Sequence, residues 1–145
     1  DFGTALYVYD EAHIRRQLAS YRDEFRTCYP QSDIVYAAKA FCCVAMDKIV
    51  ADEDCYIDVA SGGELAIAKA AGFPMEHVFA QGNNKSQREI EEYVDAGVAC
   101  FVVDTHEEIE RVSAYASAQG VTQKIIIRVC PGIEADTHAY IQTAN

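Results

Sequence analysis

The sequence predicts an α/β protein whose fold is a partial (β/α)8 barrel, with about five parallel strands and intervening helices. Short apolar segments of the kind that form buried strands begin at intervals of 21 to 24 residues. Between them lie apolar residues at helical spacing, and three helices carry recognisable start and stop signals. This regular alternation is typical of parallel strands joined by right-handed helical crossovers.

The spacing of the strands favours a barrel over an open nucleotide-binding sheet. No G-x-G-x-x-G motif, which marks the dinucleotide-binding form of that sheet, follows the first predicted strand. A complete barrel takes roughly 250 residues, so the 145 residues of this chain supply only part of one. We therefore expect the chain to be a fragment of a longer enzyme.

The elements follow one another in a fixed order. A helix over residues 11–27 opens after Asp10, and the five predicted strands cover residues 34–39, 56–60, 77–81, 100–104 and 124–130. Three helices start at capping boxes, where a hydroxyl and an acid three residues later satisfy free amides; these are Ser61 with Glu64, Ser86 with Glu89 and Thr105 with Glu108. Glycines suited to a left-handed helix end stand at positions 72, 97 and 120.

Composition restricts the possible partners and surroundings. Half of the residues are apolar and the formal net charge is -11, which argues against nucleic acid or an anionic membrane surface as a partner. No apolar run approaches the length of a membrane span, and the first residues do not read as a signal peptide. The six cysteines show no metal-ligand spacing, so we expect no metal site and reduced thiols in a cytoplasmic protein.

Lys39 is the first candidate for chemistry, because it ends an apolar strand and has small or apolar neighbours on both sides. An ammonium crowded by apolar groups loses solvation and its pKa falls, and the neutral amine can then form a Schiff base with an aldehyde. The alternative interpretation is a lysine that simply leaves a strand for solvent.

Polar residues also stand at the ends of the other predicted strands, where the active sites of βα barrels are built. They are Asp58, the loop 82–85, Asp104 and Arg128. Asp58 and Arg128 are flanked by apolar strand residues, and each could be the partner that the other charge needs. For the loop and for Asp104, ordinary turn formation and helix capping remain alternatives.

The residues in this order resemble the fold-type III pyridoxal-phosphate-dependent decarboxylases, and most closely the branch that acts on diaminopimelate. The resemblance rests on residues 2–10, 36–41, 58–65, 82–86, 128–132 and 137–143, and it covers the chain from end to end. The Tyr-x-x-Lys segment is shared with related ornithine and arginine decarboxylases. Ser-Gly-Gly-Glu-Leu, Gly-Asn-Asn-Lys-Ser and Thr-His-x-Tyr-Ile together are more specific to the diaminopimelate branch.

The resemblance implies a cofactor and a role for three residues. Lys39 would bind pyridoxal 5'-phosphate covalently, and Asp58 and Arg128 would lie beside the cofactor. The reaction would convert meso-2,6-diaminopimelate into L-lysine and carbon dioxide. The family fold implies that residues 1–9 pair with a C-terminal β-domain, that residues 10–145 begin the barrel, and that the full-length protein is a homodimer.

Other functions remain open at this stage. A decarboxylase of the same fold could act on ornithine, arginine or carboxynorspermidine, and a non-catalytic relative could keep the lysine without turnover. In an unrelated phosphate-binding barrel, Lys39 would merely contact the substrate. The family's phosphate loop and substrate-specificity residues lie beyond residue 145, so we expect this chain alone to be inactive.

Overall fold

The computed structural model describes residues 2–129, and in these residues helices and parallel strands alternate. The order is α1 (Glu11–Cys28), β1 (Val35–Ala37), α2 (Val44–Asp52), β2 (Tyr56–Val59), α3 (Gly62–Ala71), β3 (Val78–Ala80), α4 (Gln87–Ala96), β4 (Cys100–Val103), α5 (His106–Ala118) and β5 (Ile125–Ile127). Among these helices, none is long and apolar enough to cross a membrane.

The five strands form a single parallel sheet in which each strand pairs with the next one along the chain. Ala37 is aligned with Asp58, and Phe101 with Ile125. Sequential parallel pairing through helices is the arrangement of a (β/α)8 barrel. The predicted fold class, a partial barrel, is confirmed.

The core lies between the sheet and its helices. Alternate residues of β2 and β3 are completely buried: Ile57, Val59, Val78 and Ala80 each have 0% of their surface exposed. The residues between them, including Asp58, are only partly buried, because strand side chains alternate between the two faces. One face of the sheet therefore packs on helices, and the opposite face carries the polar group.

The helix boundaries follow the capping residues. Ser86 and Glu89 form a complete capping box at α4, while the serine and threonine before α3 and α5 each accept one backbone hydrogen bond. The acids of those two helices reach one residue further back, where Glu64 accepts from the Ala60 amide at 2.6 Å. The glycines at positions 72, 97 and 120 have the expected positive φ.

Three arginines of helix α1 contact the end of α2, the turn after it and the segment before β1. Arg15 pairs with residues 52 and 53, Arg22 donates to the Glu53 carbonyl, and Arg26 pairs with residues 33 and 54. These contacts join α1 to the turn between α2 and β2. Arginine suits this position because its planar group donates several hydrogen bonds at once.

One local prediction was wrong. Strand β1 ends at Ala37, and Lys39 lies in a short 3-10 turn over Ala38–Ala40 rather than at the end of a strand. Residues 6–9 form no strand within the part of the chain that the structure describes, and their pairing with a C-terminal β-domain stays a prediction.

Candidate functional site

The carboxyl ends of the five strands lie at one edge of the sheet, because all the strands are parallel. This edge carries Lys39 after β1, Asp58 within β2, Asp104 after β4 and Arg128 after β5. The topology therefore brings the predicted site residues to a common edge, which is where barrels place their chemistry.

Lys39 lies in a turn of which only Ala38 is buried. Its neighbour Ala38 has no exposed surface, while Lys39 itself is exposed. The expectation that apolar neighbours would crowd this ammonium is therefore wrong for the described part of the chain. The small alanines on both sides leave the amine accessible to a ligand.

Asp58 is a carboxylate that lies near Lys39 at the carboxyl edge of the sheet. It lies in register with Ala37, the last residue of β1, so its side chain stands beside the turn that carries the lysine. Burial raises the pKa of Asp58, while the positive charge of Lys39 and the Ala38 amide act in the opposite direction. The charge of Lys39 thus acts on the carboxyl group of Asp58.

Arg128 has a different partner from the one considered in the sequence. Its Nε lies 3.9 Å from Oδ1 of Asp104, and its side chain is 37% exposed. Asp58 was the expected partner, but the Arg128 amide bonds to the Val103 carbonyl at 2.9 Å, which places the arginine beside the end of β4. Asp58 instead lies on β2, with β3 and β4 between it and β5.

The loop 82–85 has a structural role at this edge. Gly82 has a φ of +114°, and a Cβ at this position would lie 3.2 Å from the Ala60 carbonyl, so a side chain would be both strained and crowded. Lys85 turns inward and is buried against Glu108 of α5. The polar character of this loop at the strand ends therefore does not place its lysine in the site.

Sequence reasoning missed two acids near the site. Glu64 was assigned only to helix capping, yet its charge raises the pKa of both Asp58 and Asp47. Asp47 lies in α2 with no exposed surface, and burial raises its pKa to about 6. The only available signal for Asp47 was its position among apolar helix residues that proved to be buried.

Two segments that carried the family resemblance lie outside the described residues. They are residues 130–132, which follow β5, and residues 137–143, which include His138. The site is therefore built here from residues 2–129.

Comparison with known proteins identifies the family. Residues 11–145 match the family model described as "Pyridoxal-dependent decarboxylase, pyridoxal binding domain". The chain belongs to the pyridoxal-dependent decarboxylases. This family membership implies pyridoxal phosphate as the cofactor, and the accessible amine of Lys39, beside the half-buried Asp58 at the strand ends, fits an aldehyde cofactor.

Curated decarboxylases of this family resemble the whole chain. Diaminopimelate decarboxylase from Staphylococcus aureus is 44% identical over 99% of this chain and 34% of its own length. The enzymes of that name from Halalkalibacterium halodurans and Mycobacterium tuberculosis are 42% and 40% identical, over 33% and 32% of their own lengths. The chain spans about a third of the length of these curated relatives.

Solved decarboxylase structures share the fold. Diaminopimelate decarboxylase from Helicobacter pylori, complexed with L-lysine, superimposes with a TM-score of 0.83 at 26% identity, over 96% of this chain and 35% of that one. The enzyme from M. jannaschii in complex with L-lysine gives a TM-score of 0.80 at 32% identity, over 97% and 33%.

Proposed function

We propose that this chain is the N-terminal part of a diaminopimelate decarboxylase, which removes one carboxylate of meso-2,6-diaminopimelate and releases L-lysine and carbon dioxide. The observation that carries the proposal is the exposed amine of Lys39 beside Asp58 at the carboxyl edge of a barrel sheet. The choice of substrate is supported by curated diaminopimelate decarboxylases that are 40–44% identical over nearly the whole chain.

Three residues at the carboxyl edge of the sheet, which we call the rim, have different roles toward the cofactor. The cofactor, when bound, supplies an aldehyde for covalent attachment and an electron-withdrawing ring that accepts the charge left by the departing carboxylate. Lys39 contributes the amine for attachment. Asp58, when ionised, balances the charge of that amine, and the positive charge of Lys39 favours this ionised form. Arg128 offers an exposed guanidinium for a planar or anionic group.

The attachment site can be tested on the full-length protein. Incubation with pyridoxal phosphate, reduction with borohydride and peptide mass analysis should find the adduct on Lys39. Lys39→Ala should abolish adduct formation and lysine release while leaving the unfolding transition nearly unchanged, because the side chain is exposed. The matched control is Lys69→Ala, which removes another exposed lysine, on α3. An adduct elsewhere, with full activity in Lys39→Ala, would refute the assignment.

The substrate needs its own test, since relatives with the same fold act on other amino acids. The full-length protein should release carbon dioxide from diaminopimelate and much less from ornithine, arginine or carboxynorspermidine. Release from one of these alone would reassign the substrate. No release from any, despite an adduct on Lys39, would favour a non-catalytic relative.

We also propose that residues 1–9 pair with a β-domain of the full-length protein, which works as a cytoplasmic homodimer. Phe2, Tyr7 and Val8 are 91%, 90% and 82% exposed, and such a cluster of apolar side chains calls for a covering partner. The five cysteines of residues 2–129 are free thiols, in keeping with a reducing compartment.

A double substitution tests whether a β-domain of the full-length protein covers residues 1–9. Tyr7→Ser with Val8→Ser should be nearly neutral in the isolated 145-residue chain, where both side chains are exposed. In the full-length protein the same pair should cost roughly 2 kcal/mol or more, through lost burial. Equal effects in the two chains would contradict the pairing, and sedimentation of the full-length protein as a monomer would contradict the dimer.

A further inference from the structure

A completely buried ion pair lies behind the edge that carries Arg128. Lys85 and Glu108 are each 3% exposed, and the lysine Nζ lies 2.7 Å from the glutamate Oε1. The same Nζ donates to the carbonyls of Gly82 at 2.8 Å and Val102 at 2.6 Å. All three N–H groups of the ammonium are therefore used, and they join the loop after β3 to strand β4 and helix α5.

The second oxygen of Glu108 reaches toward the rim. Oε2 accepts a hydrogen bond from the backbone amide of Asp104 at 3.0 Å, while the Glu108 amide donates to the Thr105 hydroxyl at 3.1 Å. Asp104 is thereby fixed at the end of β4. Its Oδ1 lies 3.9 Å from Nε of Arg128, and within residues 2–129 its buried Oδ2 has no hydrogen-bond partner.

Stability alone does not explain this arrangement. Removing two charges from water costs several kcal/mol per ion, and well-packed apolar residues of similar size often serve the fold equally well. What an apolar pair cannot do is bond the carbonyls of Gly82 and Val102 and the amide of Asp104. Of these contacts, the one to Asp104 is the one that continues to Arg128.

We propose that Lys85 and Glu108 are positioning residues that hold Asp104 so that its carboxylate sets the guanidinium of Arg128 at the cofactor rim. This inference rests on the proposed function, because Arg128 is assigned to the cofactor site there. We call this series of contacts the relay. It leads from Nζ of Lys85 through both oxygens of Glu108 to the backbone amide of Asp104. The Asp104 side chain then contacts Arg128.

The test replaces the buried pair without leaving a lone charge. Lys85→Met with Glu108→Leu, made in the full-length protein, should still fold, with a lower unfolding midpoint because three backbone groups lose their partners. Its affinity for pyridoxal phosphate, titrated by the absorbance of the bound cofactor, should fall about tenfold or more, as is typical when outer supporting residues are removed. The matched control is Arg88→Gln with Glu92→Gln, which removes an exposed ion pair on α4 and should leave this affinity unchanged.

A mutant cycle separates positioning from general loosening of the fold. Asp104→Asn, which leaves the buried pair intact, should weaken cofactor binding by a similar factor. Adding Asp104→Asn to the double variant should cause little further loss, because both changes break the same relay. Independent, additive losses would overturn the proposal.

The outcomes also distinguish this inference from the proposed function. A wild-type protein that binds no pyridoxal phosphate would overturn the proposed function itself. A wild-type protein that binds it, with unchanged affinity in Asp104→Asn, would overturn only the positioning role, whether or not the double variant folds. Unchanged affinity in a folded double variant would have the same meaning.

Discussion

Asp47→Asn should change the way in which the stability of this protein depends on pH. Asp47 lies in α2 with no exposed surface, and within residues 2–129 neither of its side-chain oxygens has a hydrogen-bond partner. Burial raises its pKa to about 6, and the charge of Glu64 acts in the same direction. The fold therefore disfavours the ionised carboxylate.

The size of the effect follows from the displacement of the pKa. The pKa rises from 3.8 to about 6, and at about 1.4 kcal/mol per unit this corresponds to about 3 kcal/mol. The folded state binds the proton more tightly than the unfolded state, so wild-type stability falls as the pH rises from about 4 to about 6 and then levels off. Asparagine has no proton to lose and removes this fall.

Urea unfolding at a series of pH values provides the assay. The free energy of unfolding of Asp47→Asn, relative to the wild type, should rise by about 3 kcal/mol from acidic pH to about pH 8. The matched control is Glu24→Gln, which removes an exposed carboxylate on α1 and should leave the wild-type pH dependence in place. Parallel pH curves for the wild type and Asp47→Asn would refute the reasoning.

Four further substitutions and one control test the packing of the fold by urea unfolding. Arg22→Ala should cost about 1–2 kcal/mol, because a side chain only 18% exposed loses its hydrogen bond to the turn after α2; Arg16→Ala, at an exposed position of the same helix, should change stability by less than about 0.5 kcal/mol. Tyr93→Phe should be neutral or stabilising, because the buried hydroxyl has no partner within residues 2–129; a large loss would show that it is satisfied. Gly72→Ala should cost about 1 kcal/mol at its φ of +72°. Gly63→Ala should instead gain about 0.5–1 kcal/mol in a helix with no contact closer than 3.7 Å.

The order of the elements could be predicted from the sequence because its signals are local. Capping hydroxyls and terminal glycines act within one helical turn, and the observed ends of α3, α4 and α5 follow them. Helix α2 has no such start signal, since Cys43 at its N-cap makes no side-chain capping bond. The start of α2 could therefore not be predicted from the sequence in the same way.

The pairing of charges at the rim could not be predicted in the same way. Which carboxylate meets Arg128 depends on how neighbouring strands are registered and on where each strand stops. Asp104, on the adjacent strand, lies 3.9 Å away, whereas Asp58 was an equally plausible partner from its flanking residues alone. Lys85 likewise resembled a rim residue, because only the packing of α5 shows that Glu108 draws it inward.

The sequential strand order bears on how the polypeptide is made. Every strand pairs with the one synthesised just before it, so most contacts join segments that leave the ribosome within seconds of each other. Pairing with the preceding strand keeps each connecting loop short, which limits the entropy lost when a new strand pairs. Each new strand–helix unit can dock on an edge that already exists, and the nascent chain can gain structure stepwise during translation.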